Sequence, residues 1–226
     1  MRDPTLLIFD CDGVLVDSEL LANAAIAELL TQLGRPMTVQ EALAAFVGKR
    51  LQEVLATAEA LLGAPIPPAA AERAGRQLLE RFRRDLKPID GVGGAIEMLP
   101  YRRCVASSSS PKRIRISLEA TGLASLFGDC VFSAEQVANS KPAPDLFLLA
   151  ARSLGTMPAD CIVIEDSPLG IAAARSAGMR AIGFAGGSQI DAAAVTRIAA
   201  AGADRVIHRM ADLPAAVEAV RGGPRD

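Results

Sequence analysis

Short apolar runs separated by helical stretches constrain the fold of this chain more than any other feature. The runs fall at residues 6–9, 104–106, 130–132, 161–164, 181–184 and 205–207. A run of this kind has no polar face to turn toward water, so each reads as a strand covered on both sides. Buried strands alternating with helices form a parallel sheet with helices on both faces. Glycines close the intervening helical patterns, with Gly122 after Thr121, Gly155 after Leu154 and Gly178 after Ala177. The expected fold class is therefore α/β, a doubly wound, Rossmann-like parallel sheet.

Residues 18–86 break the alternation, because they carry helical pattern only and separate the first strand from the second. Thr38-Val39-Gln40-Glu41 is a capping-box signature. Gly34-Arg35-Pro36 and the proline-rich stretch 64–68 divide further helices. This pattern predicts an inserted all-helical domain at 17–87, with a core built from 1–16 and 88–226. An insertion that enters and leaves one sheet edge at two hinges is placed to open and close over that edge. The alanine-rich stretches 22–27 and 192–201 are helix formers, and the chain from Arg221 onward reads as a frayed tail.

With 226 residues, half of them hydrophobic, the chain is long enough for one sizeable core and a small second domain. A net charge of -2 supplies no broad cationic field, which argues against strong nonspecific binding to nucleic acid or anionic membrane. A small molecule is the expected partner, bound by a monomer or weak homodimer. The apolar run in MRDPTLLI is too short for a signal peptide, and no later stretch approaches a membrane span. The cytoplasm is the expected compartment. The cysteines form no CxxC pair; Cys104, Cys130 and Cys161 lie in or beside apolar runs and read as reduced thiols. Cys11, between two aspartates, is a poor candidate for a thiolate and reads as a spacer.

Four motifs carry chemistry. Phe9-Asp10-Cys11-Asp12-Gly13-Val14 puts two carboxylates directly after a strand, and open α/β sheets bind ligands outside the carboxyl ends of their strands. One acid can serve as a nucleophile beside a metal, the other as proton donor and acceptor. A turn with two solvated acids would read the same way; an EF-hand would not, since Val14 stands where the next oxygen ligand belongs. Val163-Ile164-Glu165-Asp166-Ser167-Pro168 ends a second strand in two acids. Asp10, Asp12, Glu165 and Asp166 together call for a divalent cation, and an all-oxygen donor set suits Mg²⁺. Alternatively, Asp166 or Ser167 caps the helix that begins at Pro168, and both roles can coexist.

Ser107 leads a serine-rich turn, 107–110, at the end of another strand, where a hydroxyl and backbone N–H groups can hold phosphate oxygens. A plain polar loop is the competing reading. Lys141, followed by two prolines in Ser140-Lys141-Pro142-Ala143-Pro144-Asp145, can neutralise both Asp10 and an incoming phosphate; a solvated surface lysine is the alternative. All four motifs lie at a strand end or in the loop after it, a coincidence that separate bland readings would each have to meet.

The ordered set Asp10-x-Asp12-Gly13, Ser107, Lys141 and Glu165-Asp166 resembles the four motifs of the haloacid dehalogenase-like superfamily. The resemblance covers nearly the whole chain. Leu15-Val16-Asp17-Ser18-Glu19 and Glu165-Asp166-Ser167-Pro168-Leu169-Gly170-Ile171 are similar to its branch of sugar-phosphate phosphatases and β-phosphoglucomutases. The resemblance implies that Asp10 attacks phosphorus and that Asp12 protonates the leaving alcohol and then activates water. It implies Mg²⁺ held by Asp166, the Asp10 side chain and the Asp12 carbonyl, with Glu165 assisting, and a phosphoryl group bound by Ser107 and Lys141. Gly13 and Ser108, with Lys49 and Arg50 of the helical cap, make up the expected substrate contacts.

Asp12 favours phosphorus over carbon chemistry, since dehalogenases of the family lack that acid. Ala22 stands where the mutase relatives carry a histidine, which disfavours the isomerase. The expected function is Mg²⁺-dependent hydrolysis of a small phosphate ester, a sugar phosphate or phosphorylated hydroxy acid. A phosphomutase and a phospholigand-binding protein are the alternatives. His208, the one histidine, follows the last expected strand and reads as a surface or packing residue, which leaves no Ser-His-Asp triad and no histidine-rich zinc site.

Overall fold

The computed structural model describes residues 3–46, 51–187 and 192–223. The chain divides into two compact units, one of Met1–Asp17 with Lys87–Asp226 and one of Ser18–Leu86.

In the first unit the apolar runs become six parallel strands: β1 (Leu6–Phe9), β2 (Arg102–Ser107), β3 (Val131–Ser133), β4 (Cys161–Glu165), β5 (Arg180–Phe184) and β6 (Arg205–Ile207). Their order across the sheet is β3-β2-β1-β4-β5-β6, and every pairing is parallel. β1 thus lies between β2 and β4, at the point where the winding of the sheet reverses. Loops leaving neighbouring strands diverge there and open a crevice at the carboxyl ends.

Helices α5 (Val92–Glu97), α6 (Pro111–Ala120), α7 (Ala124–Phe127), α8 (Asp145–Ser153), α9 (Pro168–Ser176), α10 (Ala192–Ala200) and α11 (Leu213–Gly222) connect or follow the strands. Alternation along the strands divides the core. Leu6, Ile8, Cys104, Ala106, Cys161 and Val163 form a layer with Leu146, Phe147, Ile171 and Ala174 of α8 and α9. Phe9 faces the other way and meets Phe127 of α7 edge-on, with ring centroids 5.8 Å apart. β2 starts earlier than its apolar run because two arginines at its start find carbonyl partners. Arg102 donates to Leu154 at 2.5 Å and Arg103 to Ile96 at 2.8 Å.

The expected frayed tail is corrected at its start. Arg221 belongs to α11, pairs with Asp3 at 3.1 Å and with Glu218 at 2.9 Å, and lies over the Tyr101 ring. Asp3 and Tyr101 come from the chain's beginning and from the loop before β2, so local composition does not reveal them.

The second unit is helical: α1 (Glu19–Gln32), α2 (Val39–Phe46), α3 (Leu51–Leu62) and α4 (Pro68–Asp85). Its own core gathers Ala27, Leu29, Leu30, Ala42, Phe46, Ala58, Ile66 and Ala70. The start of α2 is a reciprocal cap, in which Thr38 N donates to Glu41 at 2.7 Å and Glu41 N to Thr38 Oγ1 at 3.2 Å. Among the described residues, no helix is long and apolar enough to cross a membrane.

Candidate active site

Four strand ends or following loops supply the side chains, all within the first unit. Asp10 follows β1, and its backbone N–H donates to Ile164 O of β4 at 3.0 Å, which fastens the start of the acidic loop beside the second acidic pair. The loop then turns tightly, with Leu15 N donating to Cys11 O at 2.9 Å and Gly13 N to Val16 O at 2.9 Å.

Lys141 is the hub. Its Nζ donates to Asp10 Oδ1 at 2.6 Å, to Glu165 Oε1 at 2.7 Å and to the Ala106 carbonyl at 3.1 Å. All three ammonium hydrogens have a partner, as a buried ammonium requires. The Phe147 ring lies 4.8 Å away on a further side. The loop carrying Lys141 is held by Ala143 N donating to Ser140 O at 3.0 Å and by Asn139 Nδ2 donating to Asp145 Oδ2 at 3.0 Å. Burial works against the lysine's charge, but the carboxylates of Asp10 and Glu165 outweigh it and raise its pKa. Lys141 is accordingly a fixed cation rather than a proton carrier.

Asp10 is buried, and its pKa is pushed up to about 7. Burial is the main cause; Lys141 opposes it, and the charges of Glu165 and Asp12 add to it. One lysine does not balance the carboxylates around it. Cys11 between the two acids has its thiol pKa raised by burial first and then by Asp12 and Asp10, in keeping with a spacer.

Glu165 is spoken for on both oxygens. Lys141 takes Oε1, while Ser167 donates to Oε2 from its N–H and its hydroxyl, each at 2.8 Å. Ser167 is also the helix cap, accepting from Gly170 N at 3.0 Å, so the capping role falls to Ser167 and not to Asp166. Asp166 instead packs over the first acidic loop. A Cβ on Gly13 would sit 1.9 Å from Asp166 Oδ2, and Gly13 has a φ of +81°.

Ser107 is buried at the end of β2, and its Oγ accepts from Ser109 N at 3.1 Å. Ser108 is exposed in the turn that follows. Lys49 and Arg50 lie outside the described residues.

The four acids of the expected metal set differ in their hydrogen bonding. Among the described residues, no three Asp, Glu, His or Cys side chains form a metal-binding group. Glu165 accepts from Lys141 and Ser167, while Asp12 accepts from Ser109 Oγ at 2.6 Å and from Arg113 Nη2 at 2.9 Å. Asp10, Asp12, Glu165 and Asp166 offer oxygen donors only. This oxygen-only set fits a hard cation such as Mg²⁺, which takes few protein ligands and fills its shell with water and phosphate.

Ser109, Arg113 and the second role of Ser167 are functional-site features that residue spacing did not single out.

This geometry agrees with comparison to known proteins. The chain belongs to the haloacid dehalogenase-like hydrolase family, whose model matches residues 7–184. It is 36% identical over 187 residues to the Arabidopsis thaliana protein SUPPRESSOR OF QUENCHING 1, chloroplastic, matching 78% of this chain but spanning only 17% of that much longer relative. It is 34% identical over 178 residues to the fructose-1-phosphate phosphatase YqaB of Escherichia coli K12, covering 78% of this chain and 94% of the relative.

Among solved structures, a haloacid dehalogenase-like protein of unknown function from Agrobacterium tumefaciens has a TM-score of 0.82 at 41% identity, over 95% of this chain and 97% of that one. A family hydrolase from Deinococcus radiodurans, solved with bound phosphate and sodium, has a TM-score of 0.75 at 30% identity, over 96% of each chain.

Proposed function

We propose that the protein is a Mg²⁺-dependent phosphatase that hydrolyses a small sugar phosphate through a covalent aspartyl-phosphate on Asp10. The observation that carries this reading is the triad of contacts at Lys141. A buried ammonium lies 2.6 Å from the carboxylate that would attack, with a second acid two residues further along. The sugar-phosphate class is supported by the fructose-1-phosphate phosphatase relative, and affinity for phosphate by the hydrolase solved with that ion.

In the first step Asp10 attacks phosphorus in line, the ester P–O bond breaks, and Asp12 gives a proton to the departing alcohol oxygen. In the second, Asp12 takes a proton from water as the water oxygen attacks phosphorus. The bond to Asp10 breaks and phosphate leaves. Ser107 and Lys141 hold the transferring group, and Lys141 offsets charge that builds on its oxygens. Glu165 and Ser167 keep Lys141 aimed. Asp10, Asp166 and the Asp12 carbonyl would hold Mg²⁺, which when bound would supply positive charge to offset the phosphate and the Asp10 carboxylate. Ser108 contributes its backbone N–H to the substrate, and Gly13, whose own N–H is committed to Val16 O, lets the substrate come close to the loop. Ser18–Leu86 acts as a mobile cap, with Lys49 and Arg50 choosing the leaving group.

Phosphate release from a panel of sugar phosphates, phosphoglycolate and p-nitrophenyl phosphate, in Mg²⁺ or EDTA, tests the reading. Mg²⁺-dependent release is expected, strongest for a sugar phosphate. Conversion of β-glucose 1-phosphate to glucose 6-phosphate without net release would replace it with a mutase. Binding of these esters without turnover would replace it with a phospholigand-binding role.

A further inference from the structure

Asp12 is gripped at both carboxylate oxygens by residues to which the reaction above gives no task. Ser109 Oγ donates to Oδ2 at 2.6 Å and Arg113 Nη2 to Oδ1 at 2.9 Å. Both grips stand on fixed backbone. Ser109 donates its N–H to Ser107 Oγ at 3.1 Å, and its carbonyl accepts from Ser133 Oγ at 2.8 Å. Arg113 rises from the first turn of α6, where Ser110 accepts from its N–H at 3.3 Å and Pro111 opens the helix.

A carboxylate that must meet an ester oxygen has two side-chain torsions to settle, and contacts at both oxygens settle them. A partly exposed ion pair adds little to folding, so stability is a weak reason for Arg113 to be there. Ser107 and Lys141 already serve the phosphoryl group.

We propose that Arg113 is a positioning residue for Asp12, fixing with Ser109 the plane in which its carboxyl meets the leaving-group oxygen. The inference rests on the phosphatase reading. Arg113 can only donate and keeps Oδ1, while Ser109 keeps Oδ2, so both side-chain torsions are set. As the ester P–O bond breaks, its electron pair stays on the alcohol oxygen, which takes the proton that Asp12 gives in the first step. Asp12 is left ionised between its two donors, ready to receive a proton from water.

The test compares kcat/KM for the best sugar phosphate with that for p-nitrophenyl phosphate, because kcat/KM covers events up to departure of the first product. An alkoxide needs the proton and nitrophenolate does not. Arg113→Ala is expected to lower the sugar-phosphate value about tenfold more than the aryl value, and Arg113→Lys to recover part of that difference. Equal losses on both substrates would overturn the inference while leaving the phosphatase reading intact. A wild-type protein that releases phosphate from no ester overturns both. If Arg113→Ala does not fold, Ser109→Ala removes the other grip and is read by the same ratio, with the same two outcomes.

Discussion

Gly13 and Asp166 touch so closely that no other residue fits at position 13: an added Cβ would lie 1.9 Å from Asp166 Oδ2 and 2.7 Å from its carboxyl carbon. The contact joins the end of β4 to the loop after β1 and sets the spacing between Asp166 and Asp10. Gly13→Ala must either displace Asp166 or move the loop. Its left-handed φ adds strain of about 1–2 kcal/mol. The variant is expected to melt lower and to need at least tenfold more Mg²⁺ for half-maximal phosphate release, read by a metal titration of activity. Wild-type metal dependence in this variant would contradict the account of Asp166.

Lys141→Met strands two buried carboxylates. Removing one member of a buried ion pair costs about 3–5 kcal/mol, because the partner charge keeps its desolvation penalty. Urea unfolding at neutral pH is expected to register a loss of that order, together with loss of phosphate release. Lys141→Met with wild-type stability would mean that the lysine's contacts with Asp10 and Glu165 contribute nothing to the fold.

The pH dependence of stability follows from Asp10. Its carboxyl is pushed from an ordinary value of 3.8 up to about 7 in the folded, metal-free protein. Between those pH values the folded state holds a proton that the unfolded chain has released. Stability from this group is therefore complete below pH 3.8 and is lost as pH rises through about 7. A bound cation replaces the proton, so stabilisation by Mg²⁺ grows over the same window. Melting in EDTA and in Mg²⁺, near pH 5 and near pH 8, is expected to give the larger Mg²⁺ shift at the higher pH. A shift independent of pH would contradict it.

Much of this was legible in the sequence for identifiable reasons. Buried parallel strands are continuous apolar runs, so β1, β4 and β5 stand out, and the acids following β1 and ending β4 are visible as breaks in them. Lys141 was legible through its proline-bound motif. Partners across the fold were not. Ser109 and Arg113 reach Asp12 over 97 and 101 residues, and no local pattern encodes such a meeting. The contacts of Glu165 with Lys141 were equally hidden, because Lys141 is its neighbour in space while its neighbour in sequence is Asp166. Arg221 was misread as tail because Asp3 and Tyr101, which hold it, lie far earlier in the chain.

Ser167 links helix capping to the site, since one hydroxyl both accepts from Gly170 N and donates to Glu165. Ser167→Ala is expected to cost about 1 kcal/mol from the cap alone. It should also lower kcat several-fold, because Glu165 loses one of the donors that keep it facing Lys141. Thermal melts and steady-state kinetics read the two effects separately, and an unchanged kcat would detach Ser167 from the site.

The central claim is that Asp10 becomes phosphorylated. Rapid acid quenching of the protein mixed with a radiolabelled sugar phosphate and Mg²⁺ tests it directly. The account predicts a hydroxylamine-labile phosphoryl group on the peptide containing Asp10, absent in Asp10→Asn. Phosphate release by wild type with no labelled peptide, or undiminished release by Asp10→Asn, would contradict it.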